Sequence, residues 1–215
     1  MTMLTLARDS MPAKPGLGGG IVAEQYHALV HWIRSSGGAN ATEAKTIGVT
    51  GCTPGAGVST VAANLAVAAA QGCDRPVLLL DLSSARPLLG TRLAMSGDFG
   101  LRRALSGDSH PGQSVTASPI PNLSLLAIGE AGSLKPRNTD GRQVNDLLRD
   151  LERDFCFIVV DLPPVDSGLC FAISGALDGV LLVIEAQRTH GESAARAKQR
   201  LIHANAAVLG VILNS

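Results

Sequence analysis

The sequence predicts an α/β fold: a mostly parallel sheet covered by helices on both faces, giving a three-layer sandwich. Two observations carry that expectation. Runs of consecutive apolar residues such as Val77-Leu78-Leu79-Leu80 and Phe157-Ile158-Val159-Val160 lack the alternation of a half-solvated strand, so both faces of the sheet must be buried. Between such runs lie segments whose apolar residues recur at helical spacing, so strands and helices alternate as they do in βαβ units.

Taken in order, residues 1–20 end in a Pro/Gly stretch, Met11-Pro12-Ala13-Lys14-Pro15-Gly16, and read as a flexible leader. Ile21, Tyr26, Leu29, Val30 and Ile33 mark an amphipathic helix within 21–36. Residues 37–44, rich in Gly, Ala and Asn, form a linker, and 45–215 form the core of a single domain that spans 21–215. Within that core, strands are expected at 46–50, 76–81, 123–128, 155–161, 179–185 and 208–213. Helices are expected at 59–71, 101–105, 141–153, 169–177 and 192–203.

The chain has 215 residues, enough to bury a substantial core, and is 46% hydrophobic. Lys plus Arg and Asp plus Glu both number 18, so no bulk attraction to nucleic acid or anionic lipid follows. The apolar runs are far shorter than the roughly 20 residues that cross a bilayer. The start of the chain has no long apolar stretch followed by small residues, so no signal peptide is expected. Cys52, Cys73, Cys156 and Cys170 show no paired metal-ligand spacing and are read as free thiols. None of the five histidines makes a ligand spacing with a cysteine or carboxylate.

The segment with most chemistry is Gly51-Cys52-Thr53-Pro54-Gly55-Ala56-Gly57-Val58-Ser59-Thr60, between a strand and an Ala-rich helix. A Walker phosphate loop needs glycines so that successive backbone N–H groups can converge on phosphate, and a helix N-terminus to add further donors. Gly51, Gly55 and Gly57 meet the first need, and Ser59 and Thr60 open the helix, with Ser59 where a Mg²⁺-coordinating hydroxyl belongs. Val58 stands where the pattern has lysine. By analogy with deleting an oxyanion donor, losing that cation costs roughly 2.7–4 kcal/mol of transition-state stabilisation. Backbone binding survives the change, so the expected cofactor is ATP or ADP with Mg²⁺, bound weakly, or none. The motif is not Gly-x-Gly-x-x-Gly, which argues against a dehydrogenase.

Asp81 and Asp161 end two apolar strands, and ligands of open α/β sheets sit beyond such ends. Asp161 is the Walker B candidate for Mg²⁺; Asp81 is a second metal or catalytic candidate, both vestigial if turnover is lost.

Together, GVTGCTPGAGVSTVAANLAVAAAQ, PVLLLDLSSARP, FIVVDLPPVDSG, GVLLVIEAQRTH and VLGVILN resemble the bacterial tyrosine kinases, a branch of the MinD- and ParA-like P-loop proteins. The resemblance runs from about Glu24 to Asn214. It implies a cytoplasmic domain, peripheral at the inner membrane face through a polysaccharide co-polymerase, acting in capsule or exopolysaccharide export. It also implies that Asn214 matches an asparagine near the adenine base. The departures are Val58 for lysine, Ser83 for the second acid of an Asp-x-Asp pair, and Ala85 for the first of two arginines. In the helix that assembles the family's ring, Glu24 is kept while His27 and Val30 replace arginines; self-association through this helix is therefore an open expectation. Tyr26 is the single tyrosine. The combination resembles a pseudokinase. The alternatives are an active kinase or ATPase that borrows a cation such as Arg86, and a MinD- or ParA-like positioning ATPase. Arg92, Arg188 and His190 are further crevice candidates, and Tyr26 and Trp32 suggest either a docking surface or packing of the first helix on its own domain.

Overall fold

In the computed structural model, residues 2–6, 21–35, 45–83, 89–90, 93, 100–106, 110–127, 140–186 and 191–214 are described. Their elements are β1 (Thr2–Leu6), α1 (Ile21–Ser35), β2 (Lys45–Gly51), α2 (Val58–Gly72), β3 (Val77–Asp81) and α3 (Leu101–Ser106). A short 3-10 turn at Pro111–Ser114 follows, then β4 (Thr116–Ala117), β5 (Leu123–Leu126), α4 (Gly141–Leu151) and β6 (Phe157–Asp161). The chain continues through α5 (Gly168–Ser174), β7 (Gly179–Glu185), α6 (Gly191–His203) and β8 (Val208–Asn214).

The described strands form one eight-stranded sheet in the order β1-β8-β7-β2-β6-β3-β5-β4. Each neighbouring pair is parallel except β4 and β5. Because side chains alternate along a strand, odd- and even-numbered residues of the central strands enter different cores. Ile47, Val49, Val77, Leu79, Phe157 and Val159 pack under α1 and α2. Leu78, Leu80, Ile158 and Val160 pack under α3, α4, α5 and α6. This is the expected three-layer sandwich.

Helix α2 lies close against the sheet because its inward residues are small: Ala62, Ala63, Ala66 and Ala69 are all 0% exposed. α1 packs on α2 through Tyr26, Leu29, Val30 and Ile33. Tyr26 is thus a core residue rather than a docking one, and burial pushes its hydroxyl up to about 12 while a hydrogen bond with Asn64 pulls the other way. Trp32, also on α1, is among the exposed large apolar residues.

One expectation needs correction. Thr2–Leu6, read as part of a flexible leader, forms β1, in register with Gly210–Asn214 of β8. The physical reason is that β8 offers a backbone edge, and a short run of Thr, Met and Leu suits strand pairing whatever Pro and Gly follow it. The remainder of the leader and the 37–44 linker lie outside the described residues. The two-residue edge strand β4 was also not anticipated.

The turn after β6 sets the start of α5: Ser167 Oγ accepts from the Cys170 N–H at 3.0 Å, an N-cap. Ser167→Ala is expected to cost about 1 kcal/mol of stability, read as a shift in urea midpoint at unchanged slope. An unchanged midpoint would show that this cap contributes nothing.

A candidate nucleotide site at the ends of three central strands

The site lies where β2, β6 and β3 end side by side. Val49 is in register with Asp161, and Asp161 with Asp81. The alternation that sends Val159 and Leu79 under α2 sends the next odd residues, Asp161 and Asp81, to the same face. Both carboxylates therefore point to the layer that holds the loop between β2 and α2.

That loop has the backbone form of a phosphate cradle. Gly55 (φ 88°) and Gly57 (φ 87°) are both left-handed, a conformation that disfavours side chains. Gly57 is the N-cap of α2 and no side chain caps the helix there. The loop's first helical bond is donated by the Val61 N–H to the Gly57 carbonyl at 3.0 Å. The N–H groups of the preceding first turn, Val58 to Thr60, fall outside the α2 ladder, at the positive end of its dipole. Ala56 is buried, Thr53, Pro54 and Gly55 are exposed, and Val58, Ser59 and Thr60 are half-buried. The cradle fits an anionic phosphate in backbone geometry.

Its side-chain complement differs from the Walker pattern. Val58 folds back over the start of the loop: a Cβ on Gly51 would meet Val58 Cγ2 at 2.7 Å and the Val183 carbonyl at 3.3 Å. An aliphatic side chain thus occupies a place on the loop from which a lysine would extend. Cys52 is half-buried, its thiol 3.9 Å from the Ser193 carbonyl of α6.

Asn214 sits at the loop itself. Its Nδ2 donates to the Ala56 carbonyl at 2.9 Å. A Cβ on Gly57 would lie 2.2 Å from that same nitrogen. The side chain braces the loop from the end of β8, a role not visible when it is compared only with an adenine-contacting asparagine.

The acidic pair is bridged by Ser83, which sequence reasoning had counted only as a lost acid. Ser83 Oγ lies 2.9 Å from both Asp81 Oδ1 and Asp161 Oδ2, and its N–H donates to Asp81 Oδ1 at 3.0 Å. A hydroxyl carries one proton, so the bridge makes two good hydrogen bonds when the two carboxyls retain an acidic proton between them. Asp81 is 1% exposed and Asp161 0%. Burial raises the Asp81 carboxyl above its ordinary value, the Ser83 hydroxyl and N–H opposing it. A divalent cation is the other group that suits two buried carboxylates, and Asp81 and Asp161, with the Ser59 hydroxyl at the start of α2, are the oxygen donors that would hold Mg²⁺ directly or through water. Arg86, Arg92, Arg188 and His190 lie outside the described residues. Among the described residues there is no cluster of three or more His, Cys, Asp or Glu.

Two outcomes follow from this geometry. Gly57→Ala should break the Asn214 bond and cost at least the roughly 1–2 kcal/mol of a left-handed alanine; retention of wild-type stability in a urea titration would contradict the tight packing described. Asp81 binds its proton more tightly folded than unfolded, so its contribution makes stability fall as pH rises from about 4 through the raised folded value, and level off above it. Asp81→Asn keeps the acceptor for the Ser83 N–H and removes the buried charge. It should flatten that part of the profile and raise the melting temperature at neutral pH; an unchanged profile would mean that Asp81 is not held in this way.

The comparisons with known proteins agree with the architecture. Residues 44–209 match the family model described as cellulose biosynthesis protein BcsQ. The chain is 32% identical over 171 residues to the tyrosine-protein kinase YwqD of Bacillus subtilis, covering 79% of this chain and 72% of that one. Among solved structures, the kinase domain of Escherichia coli tyrosine kinase ETK superposes with a TM-score of 0.79 at 22% identity, over 90% of this chain and 75% of that one. The septum site-determining protein MinD of Pyrococcus horikoshii, solved with Mg-ADP, superposes with a TM-score of 0.68 at 23% identity, over 79% and 70%. The match to the BcsQ family model over most of the chain and the 32% identity to YwqD show that the chain belongs to the family of the bacterial tyrosine-protein kinases, and its fold is the one seen in MinD.

Proposed function

We propose that the chain is a catalytically degenerate member of this family: a protein that binds Mg-ADP or Mg-ATP weakly through its loop backbone and regulates capsule or exopolysaccharide synthesis as a partner of a membrane co-polymerase. The observation that carries this reading is Val58, packed on Gly51 in a loop whose left-handed glycines and uncapped helix start are otherwise retained. The backbone groups of residues 55–60 hold the phosphates. Asp161 and Asp81, with Ser59, hold the ion, and Asn214 keeps the loop in its bound curvature. The ion would supply charge neutralisation at the β-phosphate. No residue of the loop supplies the cation that stabilises charge on a transferring phosphoryl group, and turnover is correspondingly slow.

A docking role is supported by the surface beside α1. An apolar cavity of about 240 Å³ lies between α1 and strands β7 and β8, lined by Leu29, Trp32, Leu181, Leu209 and Ile212. Exposed tryptophan at the rim of an apolar groove is a common composition for a protein interface. Val30, by contrast, is 4% exposed and turned into the core, whereas Glu24 is exposed, so the helix presents only part of a ring-forming surface.

MinD with bound Mg-ADP shares this fold, which favours one second reading: an active nucleotide hydrolase that takes its missing cation from elsewhere. Calorimetric titration with Mg-ADP and a phosphate-release assay separate the two. The proposal expects weak binding, abolished by Asp161→Ala, no measurable release by the wild type, and tighter binding in Val58→Lys. Phosphate release by the wild type at rates typical of the family would establish the second reading; no binding by either protein would leave the loop as architecture alone.

A further inference from the structure

The phosphate loop is tied to one flank of the sheet. Asn214, the last residue of β8, donates from Nδ2 to the Ala56 carbonyl at 2.9 Å. That bond reaches the loop from a strand whose own position depends on its neighbours. On one side β8 pairs with β7, where Asn214 is in register with Glu185 and its carbonyl accepts from the Ala186 N–H at 3.0 Å. This ladder is interrupted by a register shift between Val180 and Leu181. On the other side β8 pairs with β1, from Thr2 with Gly210 to Leu6 with Asn214, and the register is continuous. The residue that braces the loop is therefore the one at which the β1 ladder ends.

β1 is also the strand whose departure disturbs the rest of the sheet least. It is outermost, and β8 is its one neighbour among the described strands. Residues 7–20 separate it from α1, so it can leave without pulling a helix with it. Opening it breaks a single ladder, whereas opening a central strand breaks two.

We propose that β1 is a dockable strand that controls the phosphate loop: paired with β8 it holds Asn214 against Ala56, and its departure releases the loop. Without β1, β8 becomes the edge of the sheet, and the Asn214 backbone is held from the β7 side alone. Strand ends held on one side fray, and a fraying Asn214 does not keep its bond to the Ala56 carbonyl. β8 also supplies Gly210, Val211 and Ile212 to the apolar cavity beside α1, and these residues pair with Thr2, Met3 and Leu4. One strand thus connects the cavity, the docked segment and the loop. The coupling is reciprocal, so whatever tightens the loop also tightens β1.

The proposal does not depend on nucleotide binding, and its test uses none: amide hydrogen exchange of the full chain, followed in β8, at Val61 and in the central strands β2 and β6. Val61 reports on the loop because its N–H donates to the Gly57 carbonyl at 3.0 Å. Met3→Pro combined with Leu4→Pro removes a ladder donor, since successive residues of a strand face opposite edges with their N–H groups. The expected result is faster exchange in β8 and roughly fivefold faster exchange at Val61, the factor set by about one net hydrogen bond, with β2 and β6 unchanged. Asn214→Ala should speed Val61 by the same factor, and adding the two prolines to it should speed Val61 no further. Leu4→Gly weakens the strand without removing a donor and should give the same pattern at smaller amplitude, which decides the matter if the proline variant fails to fold. Faster exchange in β8 with Val61 unchanged, effects of the prolines and of Asn214→Ala that add at Val61, or β8 exchange untouched by either β1 variant would overturn the proposal.

Discussion

Two carboxyl groups with almost no solvent exposure stand next to each other at the ends of β3 and β6, and most of the site's design answers that constraint. Buried like charges at adjoining positions are tolerated only when one is neutralised or both are offset. Ser83 answers the constraint locally, with one hydroxyl between the two carboxyls and an N–H on Asp81. The placement itself is a consequence of strand alternation: residues that continue the odd-numbered apolar series under α2 become acidic where the strands end. A serine in place of a third acid keeps the cluster from carrying a further negative charge in the same buried volume.

The loop above this pair separates two functions that ordinarily travel together. Binding of phosphate by main-chain N–H groups depends on left-handed glycines and an uncapped helix start, and both are kept. Stabilisation of charge that develops in the transition state depends on a side-chain cation, and Val58 instead packs on Gly51. Asn214 adds a brace from the opposite side of the loop through the Ala56 carbonyl, leaving no room for a side chain at Gly57. The result is a cradle braced from the sheet.

Much of the fold was legible in the sequence because the central strands are buried on both faces and so read as unbroken runs of Val, Ile and Leu. β7 was placed at its observed bounds for this reason. β1 was not legible, since an edge strand of five residues is defined by the partner edge on β8 and not by its own pattern. The loop, Asp81, Asp161 and Asn214 were found from motif and position. The Ser83 bridge and the Asn214 brace were not, because each is a contact between residues far apart in sequence: Ser83 with Asp161, and Asn214 with Ala56. Comparison with a family pattern marks Ser83 as a loss, while its geometry shows a partner gained.

The central claim is that the cradle still recognises phosphate through its backbone. The most direct measurement is the set of amide chemical shifts of the isotopically labelled chain during titration with Mg-ADP. The account predicts saturable shifts concentrated on Gly55, Gly57, Val58, Ser59 and Thr60, with the Asn214 side-chain amide responding in step. Shifts that avoid the loop, or none at nucleotide concentrations well above those in a cell, would contradict it.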